Sequence, residues 1–92
     1  MNNNDIAKSR LIYQTLFKAQ ADKIVYITRY KREADVVIYE TKIRAEVTQQ
    51  NGIWLEVKYK IEADWKVYFT LLKSEAELIV YFTKFKHEAT TQ

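Results

Sequence analysis

The feature that most limits what this chain can become is a 13-residue period that recurs six times. Blocks begin at Ser9, Asp22, Asp35, Asn51, Asp64 and Glu77, giving repeats 9–21, 22–34, 35–47, 51–63, 64–76 and 77–89 with residues 48–50 inserted. The fifth position reads Tyr13, Tyr26, Tyr39, Leu55, Tyr68 and Tyr81, and the seventh Thr15, Thr28, Thr41, Val57, Thr70 and Thr83. The tenth is always basic, the twelfth is glutamate except at Gln20, and the thirteenth is alanine or Val47. A unit this short cannot bury a core alone, so the repeats must stack into one domain over 9–89, with 1–8 expected as a flexible N-terminal segment.

Positions two to nine of each block are β-branched and aromatic, which reads as a strand. The K-x-E-A run that follows suits a single turn. Since a parallel crossover ordinarily needs a dozen or more residues, the spacing predicts an all-β, six-stranded antiparallel meander of 13-residue strand–turn repeats. In the register that follows, position five opposes position five, aligning the tyrosines across the sheet. Asn51-Gly52 is itself a hairpin signal, but a longer loop there leaves the other pairings intact. The odd positions, apolar along every strand, are expected to face the core. Without a segment long enough to cover an apolar sheet face, the sheet must close as a small barrel or pair as a sheet-on-sheet dimer.

Two stretches carry a resemblance. Lys31-Arg32-Glu33-Ala34-Asp35-Val36-Val37-Ile38-Tyr39 and Lys60-Ile61-Glu62-Ala63-Asp64-Trp65-Lys66-Val67-Tyr68 resemble an uncharacterised bacterial domain family built on tandem K-x-E-A-D-x-x-V-Y units. The likeness spans nearly the whole chain after Lys8. It implies a small β-domain and brings no activity, cofactor or site residue with it.

Composition narrows the function classes. Gly52 is the only glycine and proline is absent, which excludes phosphate loops, dinucleotide fingerprints and nucleophile elbows. With no cysteine, thiolate chemistry and cysteine metal sites fall away. His87, the only histidine, lies in a charged turn with no clustered partner. Glu40 and Glu56 share a face of adjacent strands beside Trp54, but Lys42 and Lys58 flank them and no cleft is implied. No enzyme, metal or cofactor is therefore expected. The start lacks a signal-peptide pattern and no apolar run approaches a membrane span, so the expectation is a cytoplasmic protein without membrane contact.

Two partner classes remain. The even face turns apolar in the last two strands, where Trp65, Phe69, Leu71, Leu78 and Phe82 form a candidate protein-interaction patch for an unidentified protein or a second copy in a homodimer. Burial of that patch in the barrel, or beneath 1–8 with Ile6 as anchor, is the bland alternative. The second class is single-stranded nucleic acid on a basic and aromatic face, through Arg29, Lys42, Trp54 and Lys58.

Overall fold

The computed structural model describes residues 3–90, so Met1 and Asn2 of the 1–8 segment lie outside the described residues. A short helix α1 (Asn3–Ala7) precedes β1 (Arg10–Gln14), β2 (Lys23–Ile27), β3 (Val36–Thr41), β4 (Ile53–Glu56), β5 (Trp65–Phe69) and β6 (Leu78–Thr83). The six strands close into a small barrel in the order β1-β4-β3-β6-β2-β5. Every neighbouring pair is parallel. The expected antiparallel meander is therefore corrected, and the strands are shorter than the eight residues the pattern suggested.

The register explains how connectors this short can join parallel strands. Gln14, at the end of β1, pairs with Val67, and Val67 pairs on its other side with Lys23, the start of β2. The same relation links Ile27 through Val80 to Val36, Glu56 through Ile12 to Trp65, and Phe69 through Val25 to Leu78. Each of these four strands thus ends level with the beginning of the next, with one strand between them, while β3 and β4 lie directly side by side. In a barrel whose strands tilt steeply to its axis, a row at right angles to the strands runs back down the barrel as it goes round. The sideways step returns the chain to its starting end, and no separate crossover is needed. Two strand spacings are only about 10 Å, well within reach of the connector.

Five of the six connectors begin with a lock built from the repeat; the fourth block, with Val57 at position seven, has none. The position-seven hydroxyl accepts the N–H two residues on, from Thr15 to Phe17 (3.2 Å), Thr28 to Tyr30 (3.1 Å), Thr41 to Ile43 (3.0 Å), Thr70 to Leu72 (3.0 Å) and Thr83 to Phe85 (3.1 Å). Four of these hydroxyls donate in turn to the glutamate five residues on: Glu33 (2.6 Å), Glu46, Glu75 (3.0 Å) and Glu88 (2.8 Å). A 3-10 turn follows in every block, as at Lys31–Glu33 and Lys73–Glu75. At the other end of five of the six strands, the position-one side chain brackets a neighbour. The carboxylates of Asp22, Asp35, Asp64 and Glu77 accept the N–H of Lys66, Ile79, Leu11 and Ile24, while the Ser9 hydroxyl accepts that of Ile53. Backbone donors at barrel edges are satisfied this way without a further strand.

The core lies on the even face, contrary to expectation. Position four, at Ile12, Val25, Ile38, Trp54, Val67 and Val80, is buried in all six strands and fills the barrel. The tyrosines point outward and are half-buried, and they form no ladder, because Tyr68 pairs with Ile24 and Tyr81 with Val37. The alternation of side chains across a strand is symmetrical, so the period alone does not say which face is inside.

The inserted residues make the turn at Arg44–Thr48 longer. No hairpin forms at Asn51-Gly52; Tyr39 instead pairs in parallel with Ile53. Gly52 takes φ 82°. It donates to the carbonyl of Ala7 (2.7 Å) and its own carbonyl accepts the N–H of Tyr39 (2.8 Å).

Candidate functional site at the open end of the barrel

The two ends of the barrel differ. At the strand N-termini Arg10 points inward and is 8% exposed. Its guanidinium lies 3.6 Å from the centre of the Trp65 ring and pairs with Asp5 at 3.3 Å. Ile6 and Ala7 of α1 pack on the core beside it. That end is plugged. Ile6, weighed in the sequence as an anchor for the 1–8 segment, thus supplies part of the plug.

The C-terminal end is open. A cavity of about 400 Å³ enters there, lined by the sixth residue of every block: Gln14, Ile27, Glu40, Glu56, Phe69 and Phe82, with Ile12 and Trp54 below. In barrel order the polar members, Gln14, Glu56 and Glu40, occupy β1-β4-β3, and the apolar members, Phe82, Ile27 and Phe69, occupy β6-β2-β5. The cavity is thus half polar and half apolar. Glu40 and Glu56 share it, as their common face implied, although no cleft was anticipated. Their neighbour Trp54 is 2% exposed and packs edge-on against Trp65 (6.3 Å) and Phe82 (5.8 Å). It is a core residue and cannot act as an exposed stacking platform, which removes it from the nucleic-acid patch.

Two residues further along, position eight forms the rim: Leu16, Lys58, Lys42, Lys84, Arg29 and Leu71 in barrel order. Arg29, Lys42 and Lys58 of the candidate nucleic-acid patch thus come together on one arc with Lys84. Position nine adds Phe17, Tyr30, Ile43, Tyr59, Leu72 and Phe85, all between 56% and 65% exposed. These residues precede the 3-10 turns in extended backbone. The hydroxyl lock fixes the backbone N–H here in five blocks and leaves the apolar side chain in solvent.

The patch expected on strands five and six is distributed differently. Leu78 is buried at 2%, and Trp65, Phe69 and Phe82 are partly buried against the core. Only Leu71, 94% exposed, is wholly on the surface. β5 and β6 are not neighbours, so these five residues make no continuous sheet surface. Leu71 instead falls with Leu72, Leu16 and Phe17 just past the ends of the adjacent strands β5 and β1, an exposed apolar quadrant at the collar.

Charge in the turns is organised around the barrel. Lys18 pairs with Glu75, Lys73 with Glu33 (3.1 Å), Lys31 with Glu88 (3.5 Å), Lys86 with Glu46 (2.6 Å) and Arg44 with Glu62 (3.3 Å). Each basic residue finds its counter-charge in the next turn round, not in its own connector. The sixth link falls to Gln20, which has no charge. The Thr28 hydroxyl, followed by Lys73, holds the Glu33 carboxyl below the usual carboxylate range. Lys86 and then Thr41 do the same for Glu46, Lys18 and then Thr70 for Glu75, and Thr83 above all for Glu88. Position eight is outside this ring. Arg29, Lys42, Lys58 and Lys84 make no ion pair among the described residues.

A pH dependence follows from the lowered carboxyls. The folded state binds these protons less readily than the unfolded chain, so their stabilisation is complete above the ordinary value of about 4.3. It declines as pH falls below that value and is gone below the depressed folded values. Urea midpoints at pH 7 and pH 3 should drop sharply for the wild type. They should drop less for a variant with Glu33, Glu46, Glu75 and Glu88 all replaced by Gln. Equal drops would show that the ring does not govern acid stability.

The path of the chain is unusual. β1, β2 and β3 occupy alternate places around the barrel, and β4, β5 and β6 fill the places between them. Taking the short way at each connector, the chain moves round the barrel in one sense, one and a half laps from β1 to β6, and the longer 44–48 turn shifts the second lap into the gaps of the first. Over residues 7–92 the chain matches the 7(1) septoil knot domain. It belongs to that family. Two interleaved laps of one chain are the geometry from which a knotted backbone arises, and the tandem units earlier likened to a repeat family are the septoil knot domain's own. Curated proteins and solved structures contain no match. No helix among the described residues is long and apolar enough to cross a membrane.

Proposed function

We propose that this septoil knot domain is a non-catalytic interaction module that associates with a second copy of itself through Leu16, Phe17, Leu71 and Leu72. The observation that carries this reading is the exposure of these four large apolar side chains, 78%, 64%, 94% and 62%, just past the ends of two adjacent strands. Local turn chemistry needs an extended backbone at position nine but does not need an exposed leucine at position eight. The other four blocks place a cation there. A two-fold axis through the quadrant keeps the basic arcs of both copies apart, and the flanking Lys18 and Lys73 are already neutralised by Glu75 and Glu33. Burying a side chain of this size contributes ~1.5–3 kcal/mol. Four from each copy can therefore exceed association costs and reach the roughly 8 kcal/mol of a micromolar complex. A cytoplasmic location fits this reading.

Sedimentation of the wild type against a Leu16→Glu, Leu71→Glu double variant tests it. Both positions are solvent-exposed, so the variant should fold. The wild type should dimerise at micromolar concentration and the variant should remain monomeric. A wild type that is monomeric at high micromolar concentration contradicts the reading.

The basic arc supports a second reading, single-stranded nucleic acid. Four cations with no ion pair among the described residues stand just past the ends of four neighbouring strands, each followed in the chain by exposed Tyr30, Ile43, Tyr59 or Phe85, an arrangement suited to phosphates and stacked bases. Binding of oligothymidylate that weakens with salt and with Lys42→Glu and Lys84→Glu, but not with the leucine variant, would favour it.

A further inference from the structure

We infer that the open mouth of the barrel is a binding site for a small amphipathic amine, an organic cation with one apolar ring or chain. The argument begins from the repeat. Position four, one layer below, is apolar in every strand, as a filled core requires. Position six shares the same inward face but breaks that uniformity, with three polar residues on three consecutive strands and three apolar residues on the other three. Packing alone gives no reason to sort one layer of a six-fold repeat into two halves.

The carboxylates add an independent sign. Glu33, Glu46, Glu62, Glu75, Glu77 and Glu88 each engage a cation, a hydroxyl or a backbone N–H. Glu40 and Glu56 make no hydrogen bond or ion pair among the described residues, and both line the cavity. The rim lysines Lys42 and Lys58, two residues further on, do not pair with them. The unsatisfied negative charge of the fold is thus collected on one wall, opposite Phe69, Phe82 and Ile27. A ligand complementary to both walls presents an ammonium group to the glutamates and an apolar body to the aromatic side, where cation and ring preferences reinforce each other. The volume of about 400 Å³ is within the range of small-molecule sites. Divalent cations are disfavoured because the described residues contain no cluster of three metal-ligating side chains.

The inference stands apart from the collar contact and is tested separately. The Trp54 indole N–H, buried below the mouth without an acceptor, reports on what enters. Titration with 2-phenylethylamine, followed by proton–nitrogen NMR, should shift this signal saturably in the millimolar range. The neutral analogue 2-phenylethanol should bind about tenfold more weakly or worse. Glu40→Gln, Glu56→Gln and the double variant keep side-chain size at exposed positions and should preserve the rest of the spectrum. The double variant should lose about tenfold or more in amine affinity, with smaller losses in each single variant. Absence of a saturable shift, equal binding of amine and alcohol, or full affinity without both carboxylates would overturn the inference.

Discussion

Replacing Trp54 by alanine should cost about 3–5 kcal/mol in urea denaturation, the usual penalty for removing a large buried aromatic. The side chain is 2% exposed and packs edge-on against Trp65 and Phe82. Its loss leaves a cavity in a layer otherwise filled by valine and isoleucine. A domain of this size typically has only about 5–15 kcal/mol in total, so much of the population should unfold near neutral pH under mild denaturant. The mouth layer lies directly above and would lose its floor as well. An indole that served as an exposed stacking surface would give the opposite result, a stable fold with altered ligand binding.

The second large effect is expected at the seam between the two laps. Gly52 has φ 82°, and a Cβ built there would lie 2.5 Å from Thr90 Cγ2 and 2.9 Å from Ala89 Cβ. Gly52→Val therefore combines a left-handed backbone, disfavoured by roughly 1–2 kcal/mol, with overpacking of about 1–3 kcal/mol. Gly52 also joins Ala7 to Tyr39 by its two backbone hydrogen bonds, so the strain acts where β4 is held between β1 and β3. Thr90 occupies the place where a seventh block would begin, donating its N–H to Val37 (2.6 Å) as Asp64 does to Leu11 and Glu77 to Ile24. Thermal melts should show a smaller loss when Gly52→Ala is combined with Thr90→Gly than when it is made alone. Additive effects would mean that the close approach is not the cause.

The repeat, the strand content, the single-turn connectors and the longer loop at 48–50 are legible in the sequence because they depend on residues near one another along the chain. Strand direction is not. The usual crossover length presupposes strands lying level side by side, and the stagger that brings Gln14 level with Lys23 arises only when six strands close. The core face was half-visible. Position four is apolar without exception and carries a polar atom only at Trp54, whereas the odd face carries tyrosine hydroxyls, threonines and Lys66. The evenness of position four was the better sign, but the abundance of aromatics outweighed it. For the site, the shared face of Glu40 and Glu56 was readable. Their meeting with Phe69, Phe82 and Ile27 needed the barrel order, because those residues lie on strands far apart in sequence. Arg10 gave no signal as a plug, since a lone arginine at a strand start looks like any exposed charge.

The central claim is that two laps of parallel strands interleave and bring position six of all blocks to one mouth. Interstrand nuclear Overhauser contacts test it most directly. The account predicts backbone contacts of Ile12 with both Glu56 and Trp65, and of Val67 with both Gln14 and Lys23, in the parallel pattern. Close Hα–Hα contacts between Tyr68 and Tyr81, or between Tyr26 and Tyr39, would instead require consecutive strands to lie antiparallel and would contradict it.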